Sequence, residues 1–486
     1  MRVLYLDLDT LRPDHMSCYG YSRNTTPNMD KICAEGVRLN QYYCADAPCL
    51  PSRASLLSGM FGIRHGAVGH GGTAADRRLT GANRDFRDSS DTNNFVNIFR
   101  RAGMRTASIS TFAERHSSYW FNAGYNETYN VGKGGMESGE EVLPVALDWI
   151  ERNAQSDNWF LHVHLWDPHT PYRAPESFGN PFENEPLDTW ITQEVFNEHL
   201  KHVGPHSINE INMYNSDESP QFPRHPGSAK DLVGLKKLMD GYDTGILYTD
   251  YLVGKMMDAL KSARVYEDLA IIISSDHGEN MGELGIYAEH ATADYATCRI
   301  PLIIKWKGAD AGYADNGLRC NVDLAPTVAE LLGVKPSPNW DGVSFAGTIT
   351  GSNRDSGRES LVISQMAHVC QRSARFGDWL YIRTHHCGYH LFDDEMLFNI
   401  ASDPYEQYDV KNDFPEICAM GAKIILDWHD EMMKKSPGIT DPMWTVLQEG
   451  GPFHTRGALN NYIKRLRATD RSEGADRLEQ KYIRQI

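Results

Sequence analysis

The run Cys49-Leu50-Pro51-Ser52-Arg53-Ala54-Ser55-Leu56-Leu57-Ser58-Gly59 sets a sulfur nucleophile close to a guanidinium. Proline at an early helical position and glycine after the last turn mark a short helix opening just past the cysteine. At i and i+4 across its first turn, Cys49 and Arg53 can face one point in space. The helix start adds unpaired N–H groups and the positive end of its dipole. A nucleophile beside a fixed cation and a helix start suits attack on an anionic ester.

Acidic and imidazole groups recur where apolar runs end. Asp9 closes the run Val3-Leu4-Tyr5-Leu6-Asp7-Leu8, and a carboxylate there is costly unless it is paired or binds a cation. Asp7 shares that face by the period-two rule, one step deeper. Ser275-Asp276-His277-Gly278-Glu279 follows the apolar run 269–274, and Asp167-Pro168-His169-Thr170-Pro171-Tyr172 follows the run 159–165. An imidazole at such a strand end can move a proton near neutral pH. His162 and His164 alternate with Leu161, Val163 and Leu165, so they are expected to pack inside the strand. His65, His70 and the turn 69–72 read as an ordinary exposed loop, with lining of the substrate mouth as the alternative.

These groups need a scaffold, and the chain alternates strand and helix patterns through about residue 350. Strands are expected at 3–8, 106–110, 159–165, 269–274 and 301–305, with helices at 95–101, 142–153 and 243–262 between them. That alternation predicts an α/β fold, a large, mostly parallel sheet flanked by helices, with the active site at the carboxyl ends of the strands. Residues 175–235 lack apolar periodicity and read as a surface insertion over the site mouth. Residues 350–359 read as a linker. Strands at 361–364, 372–376 and 379–383 and helices near 415–434 and 460–467 then predict a smaller C-terminal α+β domain. The division is 1–350 and 360–486.

A chain of 486 residues, 41% hydrophobic and 23% charged, has room for more than one core. Its net charge of −17 argues against nucleic acid or an anionic membrane as partner. An anionic substrate must then be drawn into a locally basic pocket. The nine cysteines show no metal-type pairing and are expected to be mostly free and buried. Met1 runs directly into a strand, and no apolar stretch approaches the roughly 18 residues of a membrane span. The reduced cysteines and the missing signal segment point to the cytoplasm.

Cys49-x-Pro51-Ser52-Arg53, with its small-residue helix and Ser58-Gly59, resembles the signature of type I sulfatases in the alkaline phosphatase superfamily. Thr26-Pro27-Asn28, Asp323-Leu324-Ala325-Pro326-Thr327, Leu397-Phe398-Asn399 and Asp403-Pro404 resemble further family landmarks in the expected order, so the likeness covers nearly the whole chain. It implies an alkaline-phosphatase-like fold and oxidation of Cys49 to formylglycine by a maturation enzyme. It also implies a divalent cation held by Asp9, Asp276, His277 and the modified Cys49. A hard, carboxylate-rich set suits calcium, with magnesium or manganese as alternatives. Arg53 would hold the sulfuryl oxygens, and His169 would protonate the leaving group.

Three departures stand out. Thr10 replaces the second Asp of the family's metal-binding pair, as in a branch that includes phosphonate monoester hydrolases. The family's Lys-x-His after the Gly-Tyr-Arg-Thr strand is missing, and Arg115-His116 is the nearby basic pair that could replace it. Ala288-Glu289-His290 stands for Gly-Lys-His, so a lysine is lost while His290 remains to bind substrate. The expected activity is hydrolysis of a sulfate ester, on a small sulfated saccharide derived from a glycosaminoglycan. Trp190, His202, His206 and Tyr214 are its candidate sugar contacts. The alternatives are a phosphonate monoester or phosphodiester hydrolase and a catalytically silent sulfated-glycan-binding protein.

Overall fold

The structure, a computed structural model, describes residues 1–78, 93–436 and 439–482. An eight-stranded sheet organises it, in the order Ala314–Asp315, Val37–Leu39, Leu302–Lys305, Leu269–Ser274, Arg2–Leu8, Trp159–Leu165, Arg105–Ile109, Glu127–Tyr129. The last five of these run parallel, while Leu302–Lys305 runs against both of its neighbours. The central strands are buried almost throughout, as strands covered on both faces must be. Alternation along Arg2–Leu8 divides the interior. Val3 and Tyr5 join Leu50, Phe95 and Val328 on one face, and Leu4, Leu6 and Leu8 join Trp149 and Leu252 on the other.

Two helices start earlier than their apolar periodicity predicts, because caps set their ends. Gly139–Asn153 opens on a capping box between Ser138 and Glu141. Leu232–Ser262 opens where the Asp231 side chain accepts the Gly234 N–H at 2.8 Å. Gly241 and Gly245 let this helix lie against other backbone. A Cβ at Gly241 would meet the Arg224 carbonyl oxygen at 2.4 Å, and one at Gly245 the Asp167 carbonyl oxygen at 2.8 Å.

A second sheet runs in the order Glu395–Asn399, Trp379–His386, Cys370–Phe376, Ser360–Gln365, Asp46–Ala47. The first four strands form an antiparallel meander, on which Pro415–Lys435 packs through Cys418 and its neighbours. The fifth, Asp46–Ala47, comes from just ahead of Cys49 and pairs in parallel with Ser360–Gln365. The C-terminal region is thereby stitched to the segment that leads into Cys49.

The segment 175–235 is exposed at 183–186 and 216–221, yet part of it reaches the interior. Ile191, Phe196, Ile208 and Ile211 are buried in the main core. Phe196 sits on the short helix Gln193–His199 and the other three on irregular backbone, too little regular structure for a period to reveal them. All nine cysteines are free, and eight of them are buried. Among the described residues, no helix is long and apolar enough to cross a membrane.

Candidate active site

The helix Cys49–Ser58 begins on the cysteine itself, one step earlier than expected, and every residue in it is buried. Ser52 Oγ donates to the Asp276 carbonyl at 2.6 Å. Ser55 Oγ donates to Asp46 at 2.7 Å and lies 2.9 Å from Nε2 of His65. His65 is therefore a buried anchor of this helix rather than a loop residue. At the helix end, Gly59 has φ 66° and closes against the Trp340 ring.

Cys49 and Arg53 do share a face, as i and i+4 require, but they meet different partners. Cys49 Sγ lies 3.1 Å from His277 Nε2. The Arg53 guanidinium reaches Asp7 at 2.9 and 3.0 Å and Asp9 at 2.9 Å, and it also pairs with Asp276. It is almost fully buried, and its ring contacts are Phe112 and Trp166. In this structure Arg53 lies beneath the cavity floor among carboxylates.

Parallel register brings those carboxylates together. Asp7 pairs across to His164 and Ser274, and Asp9 and Asp276 follow the ends of the adjacent strands Arg2–Leu8 and Leu269–Ser274. Thr10, with φ 62°, donates its hydroxyl to Asp9 at 2.8 Å and its N–H to Asp276 at 3.2 Å. A residue in the position of a metal-binding acid thus positions two others. His162 and His164 are more than packing: they lie 3.3 Å from Asp7 and 3.0 Å from Asp9 respectively.

Asp9, Cys49, Asp276 and His277 each turn a ligand atom to within 4.8 Å of the others, all buried. The set fits a divalent cation on charge as well as geometry, because Asp7, Asp9 and Asp276 together face a single guanidinium. Burial would raise the Asp9 carboxyl, but Arg53 holds it well below the usual range. At Asp276 burial outweighs Arg53 and pushes the carboxyl up to about 6. His277 is lowered by burial yet pushed up to about 9 by the facing Asp276.

Above this floor opens a cavity of about 680 Å3. Arg115, His116, His169 and His290 all line it together with Cys49. A ring nitrogen of His116 comes within 4.8 Å of Cys49 Sγ, as does one of His290. The Arg115 guanidinium lies 5.1 Å from the centre of the Trp166 ring. Burial keeps the His169 imidazole below its ordinary value, and its Nδ1 faces the Thr170 carbonyl at 2.5 Å. Buried Arg173 donates to the Trp166 and Thr170 carbonyls at 2.9 and 3.3 Å, shaping the loop that carries His169. His290, although buried, is held well above its ordinary value by Glu289 and Glu279.

Further lining residues carry no motif signature. His70 reaches the cavity from the supposed exposed loop, and His206, His368, Phe453 and His454 come from the irregular segment and the C-terminal region. Of the four expected sugar contacts only His206 lines the cavity. Trp190 stacks on Tyr405 with centroids 4.5 Å apart, Tyr214 packs on Tyr462, and His202 lines a separate pocket with His390. Among the described residues no lysine lines the cavity.

The sulfatase family model matches residues 2–334. The chain is 25% identical over 427 residues to a choline-sulfatase of Rhizobium meliloti (strain 1021), covering 78% of this chain and 76% of the relative. It is 22% identical over 475 residues to an N-acetylglucosamine-6-O-sulfatase of Bacteroides thetaiotaomicron, covering 85% and 81%. The phosphonate monoester hydrolase of Agrobacterium radiobacter has the same fold, with a TM-score of 0.67 at 18% identity over 89% and 96% of the two chains. The chain belongs to the sulfatase family: it is a sulfuric ester hydrolase with an alkaline-phosphatase-like fold.

Proposed function

We propose that this sulfatase removes sulfate from a small sulfated saccharide, with formylglycine made from Cys49 as nucleophile. The observation that carries the reading is the position of Cys49. It starts a buried helix at the floor of the cavity, with Asp9, Asp276 and His277 around it. Asp9, Asp276, His277 and the modified side chain would hold a divalent cation, calcium by donor hardness. When bound, the cation polarises the ester oxygens and neutralises their charge, while the hydrated aldehyde supplies the attacking hydroxyl.

The chain's own residues do the rest. Arg53 pairs with the carboxylates Asp7, Asp9 and Asp276, opposing the burial that disfavours their charge and holding them in register. Arg115 and His116 meet sulfuryl oxygens from the cavity wall, and His169 gives its proton to the leaving oxygen. His290, which Glu289 and Glu279 keep charged, adds a cation on the opposite side. The saccharide reading is supported by the N-acetylglucosamine-6-O-sulfatase relative and by a cavity wide enough for a sugar ring.

The protein co-expressed with a maturation enzyme should lose about 18 Da at Cys49 and hydrolyse sulfate esters of amino sugars. Chelation, or Asp276→Ala, should abolish that turnover while the fold persists by circular dichroism. Thr10 and the phosphonate monoester hydrolase fold favour one second reading. Turnover of phosphonate or phosphodiester substrates well above matched sulfates would establish it instead.

A further inference from the structure

On the cavity wall, His206, Glu289 and His368 converge from three distant parts of the chain. Each turns one ligand atom to within 4.8 Å of the other two, and all three residues are at least nine-tenths buried. None belongs to the Asp9–Cys49–Asp276–His277 set. His206 Nε2 lies 3.1 Å from a carboxylate oxygen of Glu289, and His368 Nε2 lies 3.7 Å from the other. Ligand atoms around a tetrahedral zinc, with bonds of about 2.0–2.1 Å, are separated by roughly 3.4 Å.

The outer contacts prepare these groups to bind a metal rather than each other. His206 Nδ1 lies 2.9 Å from the Ile211 carbonyl, so that nitrogen is the donor and Nε2 presents its lone pair. Despite its proximity to Glu289, His206 Nε2 is buried with no hydrogen-bond partner, an arrangement that is expensive unless something positive lies between them. One Glu289 oxygen already accepts the His290 N–H at 3.0 Å and faces its ring at 2.9 Å, leaving the other for a further ligand bond. The backbone is held for the purpose. His206 and Ala288 have φ 59° and 52°, rare for residues other than glycine. The Tyr287 N–H is tied to the His206 carbonyl at 2.9 Å.

We propose that His206, Glu289 and His368 form a second metal site, for a zinc-class dication, whose open position faces the cavity. Two neutral imidazoles, one carboxylate and a dication sum to a single positive charge. That is the charge of the lysine for which Glu289 stands in the Ala288-Glu289-His290 segment. The ion would meet the anionic ester from the side opposite Arg115. Only this last role rests on the sulfatase reading; ion binding does not.

Purified protein, stripped with chelator, is saturated with calcium to fill the oxygen-rich set, offered zinc, and passed through gel filtration. Elemental analysis should find one equivalent of zinc in the wild type and in Asp276→Asn, and cobalt in its place should give the visible absorption of a tetrahedral site. His206→Ala and His368→Ala should each lose the ion. Their affinity should fall by more than the 10–100-fold that an outer-shell change costs. Glu289→Gln, which keeps the shape of the site, should weaken binding as well. In the zinc-loaded enzyme, loss of the site should raise KM for the sulfate ester by about ten- to a hundredfold. No zinc on the wild type, equal retention by both histidine variants, or loss in Asp276→Asn alone would overturn the proposal. Binding is read without turnover, so an inactive preparation leaves this test decisive.

Discussion

At the residue scale, the wall of the cavity offers two tests of how the ester is held. Charge-assisted contacts contribute roughly 1.5–3 kcal/mol, about ten- to a hundredfold in rate if made in the transition state. Arg115→Ala and His116→Ala should therefore each lower kcat/KM by about that factor. Arg115 lies over the Trp166 ring and His116 packs on Phe112 and His70 at the partly exposed cavity wall, so Tm should fall far less than the kinetics; steady-state kinetics beside thermal melts check the pair. His169 makes the pH prediction. Burial lowers its imidazole below the ordinary value of about 6.5, so it carries a proton only at pH values beneath that. A leaving-group acid of this kind makes kcat/KM rise as pH falls from neutral and level off below its pKa. His169→Ala should abolish that rise, and a pH–rate profile unchanged in the variant would remove His169 from the proton-transfer role.

At the scale of elements, one helix does most of the positioning. Cys49–Ser58 is pinned at its first turn by Ser52 to the Asp276 carbonyl, at its middle by Ser55 to Asp46, and at its end by Gly59. Gly59→Ala would force φ 66° on a residue with a Cβ and drive that Cβ to 2.6 Å from the Trp340 ring. Left-handed strain alone costs about 1–2 kcal/mol, and displacement of the indole adds to it. Urea unfolding should show a destabilisation of at least that size. Activity should fall with it, because the Cys49 end cannot hold its place if the far end shifts. The same logic explains Thr10, whose hydroxyl and N–H orient two acids without being a carboxylate itself.

At the scale of the whole molecule, the two sheets are interdependent. Asp46–Ala47 is the edge of the C-terminal sheet and the lead-in to the nucleophile helix. Phe453, His454 and His368 wall the cavity from beyond residue 360. A chain ended at residue 359 should leave Asp46–Ala47 without its sheet, and Val68 and Ala74 without the Met366, Cys370, Met443 and Val446 that cover them. We expect it to be protease-sensitive and inactive by limited proteolysis and assay. A truncated chain that resists protease and keeps full turnover would show that the smaller sheet is an appendage.

The sequence by itself determined whatever is local or repeats with a period. Unbroken apolar runs placed the central strands, and Pro51 and Gly59 bracketed the helix of Cys49. Asp9, Asp276 and His169 stood out because a polar group just past a buried strand demands a partner. Tertiary structure decided what depends on contact between distant segments. Nothing local in His70, His206, His368 or His454 shows that they share a wall with Cys49: His368 alone sits in a bend just after a strand, Ser360–Gln365, and no motif marks it. Arg53 likewise could be placed on the face of Cys49 by helix geometry alone. Its three carboxylate partners emerge only when parallel register sets Asp7, Asp9 and Asp276 side by side. Helical period and strand alternation are written in neighbouring residues, whereas the walls of a cavity are written in the packing of segments hundreds of residues apart.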